Sequence, residues 1–265
     1  MSAAFAGRAI AAVGVTCGLV AIWIDSFGSD QGSTTYWHDG TLGAVLLACC
    51  AIAGLILAAA QVAGLPGLGL AAGVSGGLAS GLFAFQPVVH AYTSFWDTFL
   101  ETGAFLGLCA GLIPIGAVIS CAGASSTRKT HRAPVLPVLA AVVGAGLVLA
   151  GIWSNLRESG GSYWSYGGVR SPGIFLLVTT IVALVLLLAD VAGVASGWRV
   201  PALVLAAIIF GFTLFGPVVL AFHSLGLLRE GAWLAAGGGL LLVGGAAMLN
   251  GLGGREPVGA PPLSL

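Results

Sequence analysis

The chain has 265 residues, 58% of them hydrophobic and 7% charged, with a formal net charge of +0. So few charges cannot cover a water-facing surface, where roughly a quarter of residues are normally charged. Lipid is therefore the expected solvent for most of the chain, and the neutral balance excludes a nucleic-acid partner.

A helix that crosses the hydrocarbon needs roughly 20 apolar residues. Eight such stretches follow in order, at about 7–25, 41–63, 67–86, 103–122, 135–154, 173–193, 200–221 and 232–251. Runs of this length must be helices, because isolated strands leave backbone groups unpaired in lipid. The third is rich in glycine and the fourth contains Pro114. Cys17, Cys49, Cys50, Cys109 and Cys121 all fall inside apolar stretches, with no Cys-x-x-Cys site. They read as small apolar residues of helix packing.

The Ser125–Arg132 linker carries the densest positive cluster, with Arg128, Lys129 and Arg132. Placed in the cytoplasm, it puts both termini there, with Arg8, Arg199 and Arg255 inside and Arg157, Arg170 and Arg229 outside. The localisation expected is the plasma membrane, multi-pass, with an anionic outer face.

An internal repeat is visible. Phe85-Gln-Pro87-Val88-Val89 resembles Phe215-Gly-Pro217-Val218-Val219, 130 positions later. Ile22-Trp23 pairs with Ile152-Trp153, Tyr36-Trp37 with Tyr163-Trp164, and Gln61-Val62-Ala63-Gly64 with Asp190-Val191-Ala192-Gly193. The fold expected is all-α: eight transmembrane helices as two parallel four-helix repeats, related about an axis along the membrane normal. The first repeat spans 1–124, a basic linker 125–134, the second repeat 135–252 and a tail 253–265.

Small residues mark close helix packing. Gly69, Gly73, Gly77 and Gly81 line one face of the third helix, and Gly103, Gly107 and Gly111 one face of the fourth. Intramolecular packing is the plain reading; a homo-oligomer contact is the alternative.

Few residues offer chemistry. His90 and His223 fall at the outer ends of the third and seventh helices. Brought together, two imidazoles could hold a haem or a metal; the plain reading is an interfacial histidine. Asp190 and its repeat counterpart Gln61 are candidates for a substrate or ion pathway, since an intramembrane carboxylate marks function by default. Asp190 also lies within reach of Arg199 at the inner boundary. Thr98 and Glu101 have capping-box spacing ahead of the fourth helix. No nucleotide loop, serine elbow or zinc motif stands in a usable context. The expected function is a permease or a non-enzymatic membrane subunit of a transport or assembly complex. The alternatives are a haem- or metal-binding redox protein and an anchor or sensor that docks a protein partner through its outer aromatic loops.

Overall fold

The computed structural model describes residues 3–29, 32–35, 45, 48–54, 56, 68–93, 98–100, 106–122, 135–156, 161–165, 170–194, 197–224 and 229–252. Helix α1 is Ala3–Ala21, and residues 48–54 form α2. Helix α3 is Leu68–Thr93. Residues 106–108 lead through a 3-10 turn, Cys109–Gly111, into α4, Leu112–Ala122. The remaining helices are α5 (Val135–Trp153), α6 (Ser171–Val191), α7 (Arg199–Ser224) and α8 (Glu230–Leu252).

Local sequence explains several boundaries. Pro137, Pro172 and Pro201 sit in the first turns of α5, α6 and α7, where no intrahelical N–H is needed. Helix α6 ends at Ala192 with Gly193 at φ 74°. Gly193 N–H donates to the Asp190 carbonyl (3.1 Å) and Val194 N–H to the Ala189 carbonyl (2.9 Å). This is a Schellman end, which suits the residue that has no Cβ. Pro114 has no N–H and its ring crowds the carbonyl of residue 110. The chain tightens into the 3-10 turn just before it, with Leu112 N–H on the Cys109 carbonyl.

Outside the helices, Asp25–Ser29, Gly32–Thr35 and Thr98–Leu100 form strands β1, β2 and β3. They pair antiparallel in the order β2-β1-β3, with Thr98 opposite Ser29. The expected capping box at Thr98 is therefore corrected: Thr98 begins a strand, and sheet pairing takes its backbone away from a helix start.

Three of the helices, Val135–Trp153, Ser171–Val191 and Glu230–Asn250, are long and apolar enough to cross a bilayer. Nineteen residues of helix rise about 28 Å, close to the roughly 30 Å of a hydrocarbon core. The outside of the bundle is apolar as well as its core. Ile174, Val178, Ile181, Val185 and Leu188 form an exposed stripe along α6, at a spacing that normally marks a core-facing side. Here it faces lipid. Trp23, Trp153 and Trp233 are exposed toward one end of the bundle and Trp198 at the other, as interfacial indoles are. The chain is a membrane protein.

Positions 129 or 130 apart are used alike. Residues 7–22 of α1 and 137–152 of α5 and its end follow the same order of buried, half-buried and exposed positions. Residues 70–84 and 200–214 differ only at Val74 and Val204, and residues 48–54 and 177–183 only at Ala53 and Val182. The close approaches correspond as well. A methyl group built on Gly116 of α4 would lie 2.7 Å from the Ala11 nitrogen of α1. One built on Gly245 of α8 would lie 2.7 Å from the Ala141 nitrogen of α5. Both helix pairs are antiparallel.

These glycines predict a sharp contrast in stability. Among the described residues, Gly146, Gly237 and Gly244 have nothing within 4 Å of a built methyl, whereas Gly144 would meet the Leu242 nitrogen at 2.5 Å. Alanine at Gly146 or Gly237 is expected to raise thermal stability by about 0.5–1 kcal/mol through helix propensity. Alanine at Gly144 should lower it. Melting in detergent checks this, and equal effects at both kinds of site would contradict the assigned faces.

Candidate functional site

The centre of the bundle is the crossing of α3 and α7. Contacts advance together along both helices: Gly73 meets Val204, Gly77 meets Ala207, and Gly81 meets Ile208 and Phe212. The two helices therefore run parallel. A methyl on Gly77 would lie 2.7 Å from the Ala207 Cβ, its own counterpart 130 positions on. A methyl on Gly81 would clash with the Ile208 carbonyl oxygen, and one on Gly211 with the Leu78 carbonyl oxygen. The last two contacts exchange under the same offset, so the crossing is reciprocal.

Three of the expected packing glycines, Gly73, Gly77 and Gly81, thus face α7. Gly69 lies on the first turn of α3, and its surroundings fall outside the described residues, as does Gly103 altogether. Gly107 packs on the Phe83 ring, 2.7 Å from a built methyl. The expectation for Gly111 is corrected: among the described residues, nothing lies within 4 Å of its built methyl. It belongs to the 3-10 turn, whose three residues per turn rotate it off the stripe. Sequence reading missed Gly14, Gly116, Gly144 and Gly245, which pack just as closely.

Beyond Gly81 the crossing becomes aromatic. The Phe212 ring lies 5.0 Å from Phe85 and 4.7 Å from Phe175, and 6.5 Å from Tyr163. Tyr163 is buried and its hydroxyl donates to the Thr213 carbonyl at 3.3 Å. Trp164 stacks on Trp153 at 5.6 Å. Of the two Tyr-Trp pairs expected in outer loops, this one is packed onto the bundle; Tyr36-Trp37 lies outside the description apart from its flank at Thr35. Ser171 at the start of α6 donates to the Val88 carbonyl at 2.7 Å, which ties α6 to the end of α3.

Polar groups inside the bundle are few. Thr179 Oγ1 donates to the Phe175 carbonyl (2.7 Å) and reaches the Leu176 carbonyl (3.3 Å). Leu176 is also the residue one turn before Thr180, whose own buried Oγ1 has no hydrogen-bond partner among the described residues.

At the opposite end, Asp190 pairs with Arg199: Arg199 Nε donates to Asp190 Oδ2. Gly197 N–H donates to Asp190 Oδ1 at 3.0 Å. Arg199 Nη1 reaches the Leu249 carbonyl and Asn250 Nδ2 the Arg199 carbonyl, each at 3.3 Å. The Asp190 side chain is 7% exposed and that of Arg199 16%. The carboxylate is thus engaged in closing the α6–α7 hairpin onto α8, and its repeat counterpart Gln61 lies outside the described residues. His90 and His223 sit on the last turns of α3 and α7, at the same end of the parallel pair; their side chains lie outside the described residues. Among the described residues, no group of three or more His, Cys, Asp or Glu side chains comes together to hold a metal.

No protein-family model, no curated protein and no solved structure matches this chain.

Proposed function

We propose that the chain is an eight-span membrane permease built from two parallel four-helix copies, closed in this structure and opening by motion of one copy against the other. The observation that carries the reading is the α3–α7 crossing, where Gly77 meets its counterpart Ala207 and Gly81–Ile208 exchanges with Gly211–Leu78. The matched burial at positions 129 or 130 apart supports the duplication. Parallel repeats about an axis along the membrane normal are one of the plans on which transporters are built. Small side chains at the crossing leave few interlocking ridges, so the copies can shift at low cost. The position of Arg199 at the end where α1 begins and α8 finishes supports cytoplasmic termini in a plasma membrane.

The test is a distance measurement. Spin labels at Trp23→Cys and Trp153→Cys, in a background without native cysteines, should give two populations in bilayers. A prior cross-link between Gly73→Cys and Val204→Cys should collapse them into one. A methyl on Gly73 lies 3.4 Å from Val204 Cγ2, so that pair is within bridging range. A single population before and after cross-linking would point to a static component. A stoichiometric partner recovered with the chain from native membranes would then make it a subunit of a complex.

A further inference from the structure

Cys17 of α1 and Cys109, the first residue of the 3-10 turn before α4, come from opposite ends of the first half in sequence. Cys109 is a neighbour of the Cys17 thiol, and both residues are half-buried free thiols. The approach is fixed by the backbone on either side. A methyl on Gly14 would lie 2.8 Å from the Ile113 nitrogen, and one on Gly18 3.5 Å from the Ala110 Cβ. The corresponding positions in the second half, 130 and 129 residues on, are Leu147 and Gly238, where a methyl on Gly238 would lie 2.8 Å from the Leu147 Cβ. There the backbones come closer than the roughly 3.5–4.5 Å that separates the Cβ atoms of a disulfide, so helix separation does not bar one. Only the first half carries sulfur on both sides of it. Only the first half also carries the proline, Pro114, that tightens the turn holding Cys109; Val243 takes that place in α8.

We infer that Cys17 and Cys109 are a redox pair that closes to a disulfide and locks α1 onto α4 at the tightened turn. Two S–H bonds break and one S–S bond forms, with loss of two protons and two electrons. The oxidant is of the quinone class and leaves as the hydroquinol. A lipid-soluble two-electron acceptor suits thiols set among apolar helices. Closure needs a thiolate attacking or a sulfur accepting, so it is governed by access as well as spacing. The pairing does not depend on the permease reading.

The experiment uses the full chain in its membrane. Samples are treated with duroquinone, with copper–phenanthroline in air, or with dithiothreitol, then denatured and alkylated with N-ethylmaleimide before peptide mass analysis. The expected result is a Cys17–Cys109 linked peptide in the quinone sample, with alkylation lost at these two residues and retained at Cys49, and with dithiothreitol restoring both thiols. The wild type should also melt higher after oxidation, while the Cys17→Ser and Cys109→Ser variants should not respond. Full alkylation of both residues after both oxidants, or linkage of either to Cys49, Cys50 or Cys121, would overturn the pairing. Linkage with copper but not with the quinone would overturn the choice of oxidant.

Discussion

Replacing Gly81 by alanine is expected to destabilise the bundle by about 1–3 kcal/mol, and by leucine to prevent the two halves from packing at all. The cause lies in what the new Cβ meets. It would overlap the Ile208 carbonyl oxygen and lie 2.7 Å from the Phe212 nitrogen. Both are backbone atoms of α7 and cannot rotate away as a side-chain tip would, so the helices must separate. Gly211→Ala does the same from the other side, against the Leu78 backbone. One separation relieves both clashes, so the double variant should cost less than the sum of the singles. Thermal melting in detergent, read with size-exclusion profiles, measures this. Additive effects would mean that the two sites do not share one crossing.

The second large effect is expected at the α6–α7 hairpin. Asp190→Ala leaves the Arg199 guanidinium with only carbonyl partners in a largely buried position. Removing one member of such a pair costs about 3–5 kcal/mol, because the remaining charge loses its compensation. Asp190→Asn keeps an acceptor for Gly197 N–H and should cost less. Arg199→Ala should approach Asp190→Ala, and the double variant should be milder than the sum of the two. If Asp190→Ala melts like the wild type while transport or partner binding fails, the carboxylate serves a pathway rather than the fold. That outcome would restore the sequence-based expectation for Asp190.

Membrane residence was legible because composition is a bulk property that no local error can reverse. The expectation of an offset of 130 came from Pro87 and Pro217, which punctuate matching apolar strings. The glycine stripe Gly73–Gly77–Gly81 was legible because a four-residue spacing in a helix stays on one side. Gly111 misled for a physical reason: Pro114 tightens the turn, and the periodicity that justified the stripe stops there. The strand at Thr98–Leu100 is three residues long, too short for an alternating pattern to show. The Cys17–Cys109 approach is a contact between separate helices, and it leaves no trace in either local sequence. Asp190 lay between two readings because sequence supplied the proximity of Arg199 but not the hairpin geometry that joins them.

The parallel pairing of α3 with α7 also governs how the protein can be made. Helix α3 ends at Thr93 and its partner begins only at Arg199. A ribosome adds about 5–20 residues per second, so the Gly73–Gly81 side waits on the order of ten seconds for the helix that covers it. Throughout that interval an incomplete chain displays a self-complementary surface to every other nascent copy nearby. Correct assembly is therefore a race between the arrival of α7 and capture by a neighbour, and crowded translation of this protein favours the wrong partner.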